Sequence, residues 1–78
     1  MSITNQEVHD AIRFILSDTS NHAKSLNYAV GYCQIAMQQN EEDLRVQCLY
    51  ILGNITHWRN TKASAVRNVL KGFVSQNV

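Results

Sequence analysis

Seventy-eight residues with a formal net charge of +1, 45% of them hydrophobic and 17% charged, make one small folded domain and not a disordered segment. A chain this short buries only roughly 60 to 65% of its unfolded surface, so its core is small and self-association would add buried apolar area. No apolar run nears the roughly 18 to 20 residues of a membrane span, and the start MSITNQEVHD has neither part of a signal peptide, so a cytoplasmic protein without a membrane partner is expected.

Proline is absent and glycine occurs three times, at Gly31, Gly53 and Gly72, which predicts long helices with few breaks. The first helix begins with a capping box, Thr4 and Glu7, and Val8, Ile12, Ile15 and Leu16 recur on one stripe. The turn-forming run SDTSN, residues 17 to 21, ends it. A second helix is predicted from about His22 to Gln39, with Ala23, Leu26, Val30, Cys33 and Met37 facing the core. On a helical wheel Tyr28, Tyr32 and Ile35 fall on nearly the opposite side, so this helix has two apolar faces.

Asn40 is the predicted cap of the third helix, with Glu41, Glu42 and Asp43 at the positive end of its dipole and Glu41 spaced to pair with Arg45. Leu44, Cys48, Ile51, Leu52 and Ile55 form its core stripe, while Val46, Tyr50, Gly53 and His57 lie on the far side with Leu49 at the flank. The helix should stop at His57 or Trp58. A fourth helix should follow Asn60 or Thr61 and reach about Val74, with Val66, Val69, Leu70 and Phe73 inward and Ser64, Arg67, Asn68, Lys71 and Ser75 outward. No strand pattern competes. The expected architecture is all-α, a compact antiparallel bundle of three to four helices over residues 1 to 78 as a single helical domain.

Catalysis finds no support in these residues. His9, His22 and His57 belong to three different predicted helices, no two are spaced as helical metal ligands, and no glycine-rich phosphate loop occurs. Cys33 and Cys48 lack a metal-ligand or CxxC spacing and read as buried free thiols. A non-enzymatic protein with no cofactor and no metal is expected.

Charge is unevenly spread. Residues 1 to 44 hold all six acids against Arg13 and Lys24, a balance of −4, and residues 45 to 78 hold five basic residues and no acid, a balance of +5. Arg59, Lys62, Arg67 and Lys71 lie at or after the start of the fourth helix, where basic side chains oppose the dipole, and read either as a solvated basic face or as an anion-binding or nucleic-acid-binding strip. Trp58 also has two readings. It plugs the end of the core with its indole nitrogen near the surface, or it stands exposed beside Arg59 as an interface anchor.

The second faces are the main functional hint. Tyr28, Tyr32, Ile35, Val46, Leu49 and Tyr50 exceed what a small bundle must bury on one core, so either the first and fourth helices sandwich the middle pair, or the surplus binds another chain.

The stretches LNYAVGYCQIA and QCLYILGNITHWRNTKASAVRNVLKGF, within Leu26 to Phe73, resemble a class of very small helical proteins encoded by bacteriophages and prophages. The resemblance lies in an apolar helix with a central Gly-Asn or Asn-Asn that ends in Trp-Arg, followed by a helix with Ala, Val-Arg and Leu-Lys. Such proteins often have Gly after Trp-Arg, where this chain has Asn60. The resemblance implies a host-interaction or anti-defence role, or an accessory role in replication or packaging. The expectation is therefore a protein that acts by protein–protein interaction through Tyr28, Tyr32, Ile35, Val46, Tyr50 and Trp58, as a homodimer or with a host or phage protein. The second expectation is nucleic-acid or anionic-ligand binding through the basic segment.

Overall fold

A computed structural model describes residues 2–76 and contains four α-helices: α1 (Asn5–Ser17), α2 (Ala29–Ala36), α3 (Glu41–Gly53) and α4 (Ala63–Ser75), with a 3₁₀ turn at Thr19–Asn21. There is no strand among the described residues. Each helix packs on two others, α1 on α2 and α4, and α3 on α2 and α4, so the helices close a ring around one core. Val8, Ile12 and Ile15 of α1 fill that core with Leu26, Cys33, Leu44, Cys48, Ile51, Ile55 and Leu70, all inaccessible to solvent. The all-helical bundle expected from the periodicity is the fold observed.

The predicted boundaries need three corrections. Residues 22 to 28 do not continue α2 but form successive turns, in which the Asn21 carbonyl accepts from both Lys24 N and Leu26 N at 3.0 Å. Ser20, Asn21, Ser25 and Asn27 crowd this stretch with side chains that favour turns over helix. The shorter helix is also rotated about its axis. Its buried line is Ala29, Cys33 and Ala36, with Leu26 of the preceding turns also buried, while Ala23 is exposed and Val30 and Met37 are only partly covered. At the other end, α3 stops at Gly53 and not at His57 or Trp58, because Asn54 turns back and donates from its side chain to the Tyr50 carbonyl at 2.7 Å. Ile55 and Trp58 still reach the core, carried there by a turn in which Trp58 N donates to Ile55 O at 3.1 Å.

Helix ends are satisfied chiefly across the bundle. Only α1 carries its own complete cap, the reciprocal Thr4–Glu7 box. Asn40 occupies the N-cap position of α3 without a side-chain bond, and Asn5 supplies it instead. The Asn5 Oδ1 accepts from Glu41 N at 3.1 Å and its Nδ2 donates to Glu41 Oε1 at 3.0 Å. Glu41 is thereby held at a φ of 52°, a left-handed conformation unfavourable to a side chain with Cβ, and Arg45 pairs not with Glu41, as its spacing suggested, but with Glu42 at 3.1 Å.

His9 reaches from α1 to the C-terminal end of α2, where its Nε2 donates to Gln39 O at 2.8 Å and Ala36 O at 3.2 Å. His22 does the same for α1, donating to Leu16 O at 3.0 Å. Gln76 closes the bundle by bonding both backbone groups of Ile3, accepting from its N–H at 2.6 Å and donating to its carbonyl at 3.0 Å. Two of the three histidines thus serve as helix caps, and the third, His57, is exposed. Among the described residues no group of three His, Cys, Asp or Glu side chains is placed to hold a metal ion, and no helix is long and apolar enough to cross a membrane.

Candidate functional site

The run HWRN, residues 57 to 60, leads from the end of α3 into the start of α4. Trp58 is only 1% exposed, so it does not belong to an outer binding surface as one expectation had it. It is the plug of the core. Its indole Nε1 donates to Asp18 Oδ2 at 2.7 Å, and Phe14 packs against its ring at 6.1 Å between centroids.

Asp18 gathers this end of the molecule. Besides Trp58, its Oδ2 accepts from Asn21 Nδ2 at 2.9 Å and Asn60 Nδ2 at 3.2 Å, and its Oδ1 accepts from Ser20 Oγ at 3.0 Å. One carboxylate so joins the end of α1, the 3₁₀ turn and the loop before α4. Hydrogen bonding from Trp58, then Asn21 and Asn60, holds its carboxyl well below the usual carboxylate range, against a smaller opposing effect of desolvation. The sequence marked residue 18 only as part of a turn, since its partners lie up to 42 residues away.

The basic strip does not assemble as expected. Arg67 does not face water freely: its Nη2 donates to Ile55 O at 2.8 Å, as a second donor beside Trp58 N, and to Trp58 O at 2.5 Å, both in the loop that follows the early end of α3. Lys62 sits at the N-cap position of α4 and turns toward α1, with its Nζ 5.9 Å from the centre of the Phe14 ring. Asn60 contributes to this start, accepting from Lys62 N at 2.9 Å, but it is not the N-cap residue. Arg59 and Lys71 are exposed. Among the described residues that line an open depression of about 570 Å³, which include Thr56, Arg59, Asn60, Thr61, Ser64 and Arg67, Arg59 is the one cation not already bonded to backbone carbonyls.

Cys33 and Cys48 are buried free thiols on the facing sides of α2 and α3. Burial pushes both up to about 12, with Cys48 adding to the effect on Cys33, so neither is a ready nucleophile or metal ligand.

The outer side of α2 and α3 is different in kind. The large hydrophobic residues exposed among the described residues are Tyr28, Ile35, Val46, Leu49 and Tyr50, with exposures from 37% at Val46 to 74% at Tyr28. All five lie on this helix pair or at its edge. A four-residue connection, 37 to 40, makes the two helices antiparallel neighbours, and half-buried Tyr32 stacks on Tyr50 with ring centroids 5.3 Å apart. That stack bridges the two helices midway along the face.

Helical spacing aligns Tyr28, Gly31 and Ile35 on α2 and Val46, Tyr50 and Gly53 on α3. Gly31 and Gly53 have no positive φ, and a Cβ at either would meet open space, so nothing inside the chain requires glycine there. Each costs its helix roughly 0.5 to 1 kcal/mol relative to Ala. The exposed face is not a product of loose packing. The accessible surface of 4892 Å² matches the roughly 4,800 Å² that a compact chain of this size exposes.

Compared with protein-family models, with curated proteins and with solved structures, the chain matches none of them.

Proposed function

We propose that this protein acts by binding protein, not by catalysis, through the outer face of α2 and α3. The observation that carries the reading is the exposure of Tyr28, Ile35, Val46, Leu49 and Tyr50 on one side of a bundle whose core is already closed. Tyrosine suits such a face, since its ring buries apolar area while its hydroxyl keeps a polar partner at the rim. The two unrequired glycines add room for a close approach of another backbone. A host-directed or anti-defence task, as the resemblance of Leu26 to Phe73 to small phage proteins implies, needs such a face and no reaction centre. Nucleic-acid or anion binding has less support, because Arg67, one of the four basic residues of that segment, is bonded to backbone carbonyls.

Photo-crosslinking in the cells that make the protein tests this reading. A photoreactive residue at Leu49 or Tyr28 is expected to give discrete protein adducts, and the same group at Ser64 or Asn68 on α4 is expected to give none. Equal labelling from both sides, or adducts from α4 alone, would overturn it.

A further inference from the structure

The arrangement of charge around the apolar face identifies what covers it. From Ser25 to Asn40 the chain has no charged residue, so the α2 half of the face offers nothing that would repel a like surface. Arg45, paired with Glu42, stands one turn before Leu49, and the other charges stand at its two ends. At the end next to the α2–α3 connection are Glu41, Glu42 and Asp43. Glu41 is bonded to Asn5 and Glu42 to Arg45, whereas Asp43 is exposed, has no ion-pair partner among the described residues, and precedes Val46 by three and Tyr50 by seven on the same helical line. At the opposite end is Lys24, four residues before Tyr28 in the turns that lead into α2. It is exposed and without an ion-pair partner among the described residues.

We infer that the occupant is a second copy of this chain, docked about a two-fold axis that crosses the face near the Tyr32–Tyr50 stack, with the two α3 helices antiparallel. The inference rests on the reading of this face as a binding surface and names its partner. A two-fold axis across the helices turns the end holding Asp43 of one protomer onto the end holding Lys24 of the other, and does so twice. The parallel arrangement would stack acid on acid and base on base. Area agrees with the assignment. Scaled from full aromatic areas of roughly 150 to 250 Å², the exposed side chains of the face offer on the order of 600 Å². The flanking glutamines and glycines extend this toward the about 800 Å² that each partner of a stable complex contributes.

Sedimentation equilibrium of the full chain over micromolar to millimolar concentration, in low and high salt, tests the inference. Wild type is expected to dimerise, more weakly in high salt. Asp43→Lys and Lys24→Glu should each weaken the dimer about tenfold, and the two together should restore it to within a few-fold of wild type. Tyr50→Glu, checked for unchanged helicity by circular dichroism, should weaken it at least about a hundredfold. A wild-type chain that stays monomeric at millimolar concentration would overturn the second copy as occupant, with the binding surface itself still tested by the crosslinks from Leu49 and Tyr28. A dimer that is indifferent to Asp43→Lys and to salt would overturn the antiparallel pairing. A dimer untouched by Tyr50→Glu would remove both the pairing and the surface.

Discussion

On α1 and α4 the side turned to solvent carries Gln6, Asp10, Arg13, Ser64, Asn68 and Lys71, whereas on α2 and α3 it carries Tyr28, Ile35, Val46, Leu49 and Tyr50. All four helices contribute to the same core, so the difference does not come from the needs of folding. α1 and α4 are amphipathic in the ordinary way, with one stripe inward and polar residues outward. The inward stripe of α2 is made of small side chains, Ala29, Cys33 and Ala36, that of α3 joins Cys48 to Leu44 and Ile51, and both helices carry further bulky apolar residues on the outside. The inward stripe of a helix specifies where it packs in its own chain. An outward one has no partner in that chain, and its stabilising value is realised only when another surface removes it from water.

The contrast is broken most severely at Trp58. Trp58→Ala removes the core plug and leaves Asp18 without its nearest donor, and should cost about 3 to 5 kcal/mol, enough to leave a chain of this size largely unfolded at 25 °C by circular dichroism. Leu49→Ala, only nine residues earlier, should change the unfolding free energy of the dilute monomer by no more than about 0.5 kcal/mol. A large destabilisation at Leu49 would mean that the outer face serves the fold after all.

Acid should act on the polar end of the bundle and reveal the part that Asp18 plays. Its pKa is held below the unfolded value of about 3.9, so its contribution is fully present above that pH and disappears as pH falls through the lower folded value. Urea midpoints of the wild type should therefore drop as pH is lowered below about 4. Asp18→Asn, already less stable at pH 7, should show a shallower acid limb. Parallel acid limbs for the two chains would remove Asp18 as the residue responsible.

A smaller effect is expected at Glu41. Glu41→Gly and Glu41→Ala both lose the bond to the Asn5 side-chain amide, so comparing them isolates the backbone. With φ at 52°, the Gly variant should be about 1 kcal/mol the more stable of the two by urea unfolding. Equal stability would argue against a left-handed residue at the start of α3.

Much of this architecture is legible along the chain, and the reason is locality. The Thr4–Glu7 box, the core lines of α1, α3 and α4, and the double-faced character of α2 and α3 all depend on spacings of three or four residues. What escaped such reading depends on distant partners. Asn5 caps α3 from 36 residues away, His9 caps α2 from 27 and 30, and Trp58 meets Asp18 across 40. Arg67 looks like an exposed cation by periodicity, yet it bonds the Ile55 and Trp58 carbonyls of the loop that follows the early end of α3. The over-long reading of α2 has a different cause. Ala23 and Leu26 keep helical spacing through a stretch whose Ser and Asn residues turn it instead.

Concentration-dependent amide spectra of the isotope-labelled chain test the central claim most directly, because they report every face at once. From about ten micromolar to one millimolar, the account expects shifts to move at Tyr28, Gly31, Ile35, Val46, Leu49, Tyr50 and Gly53, while those of Asp10, Arg13, Ser64 and Asn68 stay fixed. Shifts confined to α1 and α4, or none over the whole range, would contradict it.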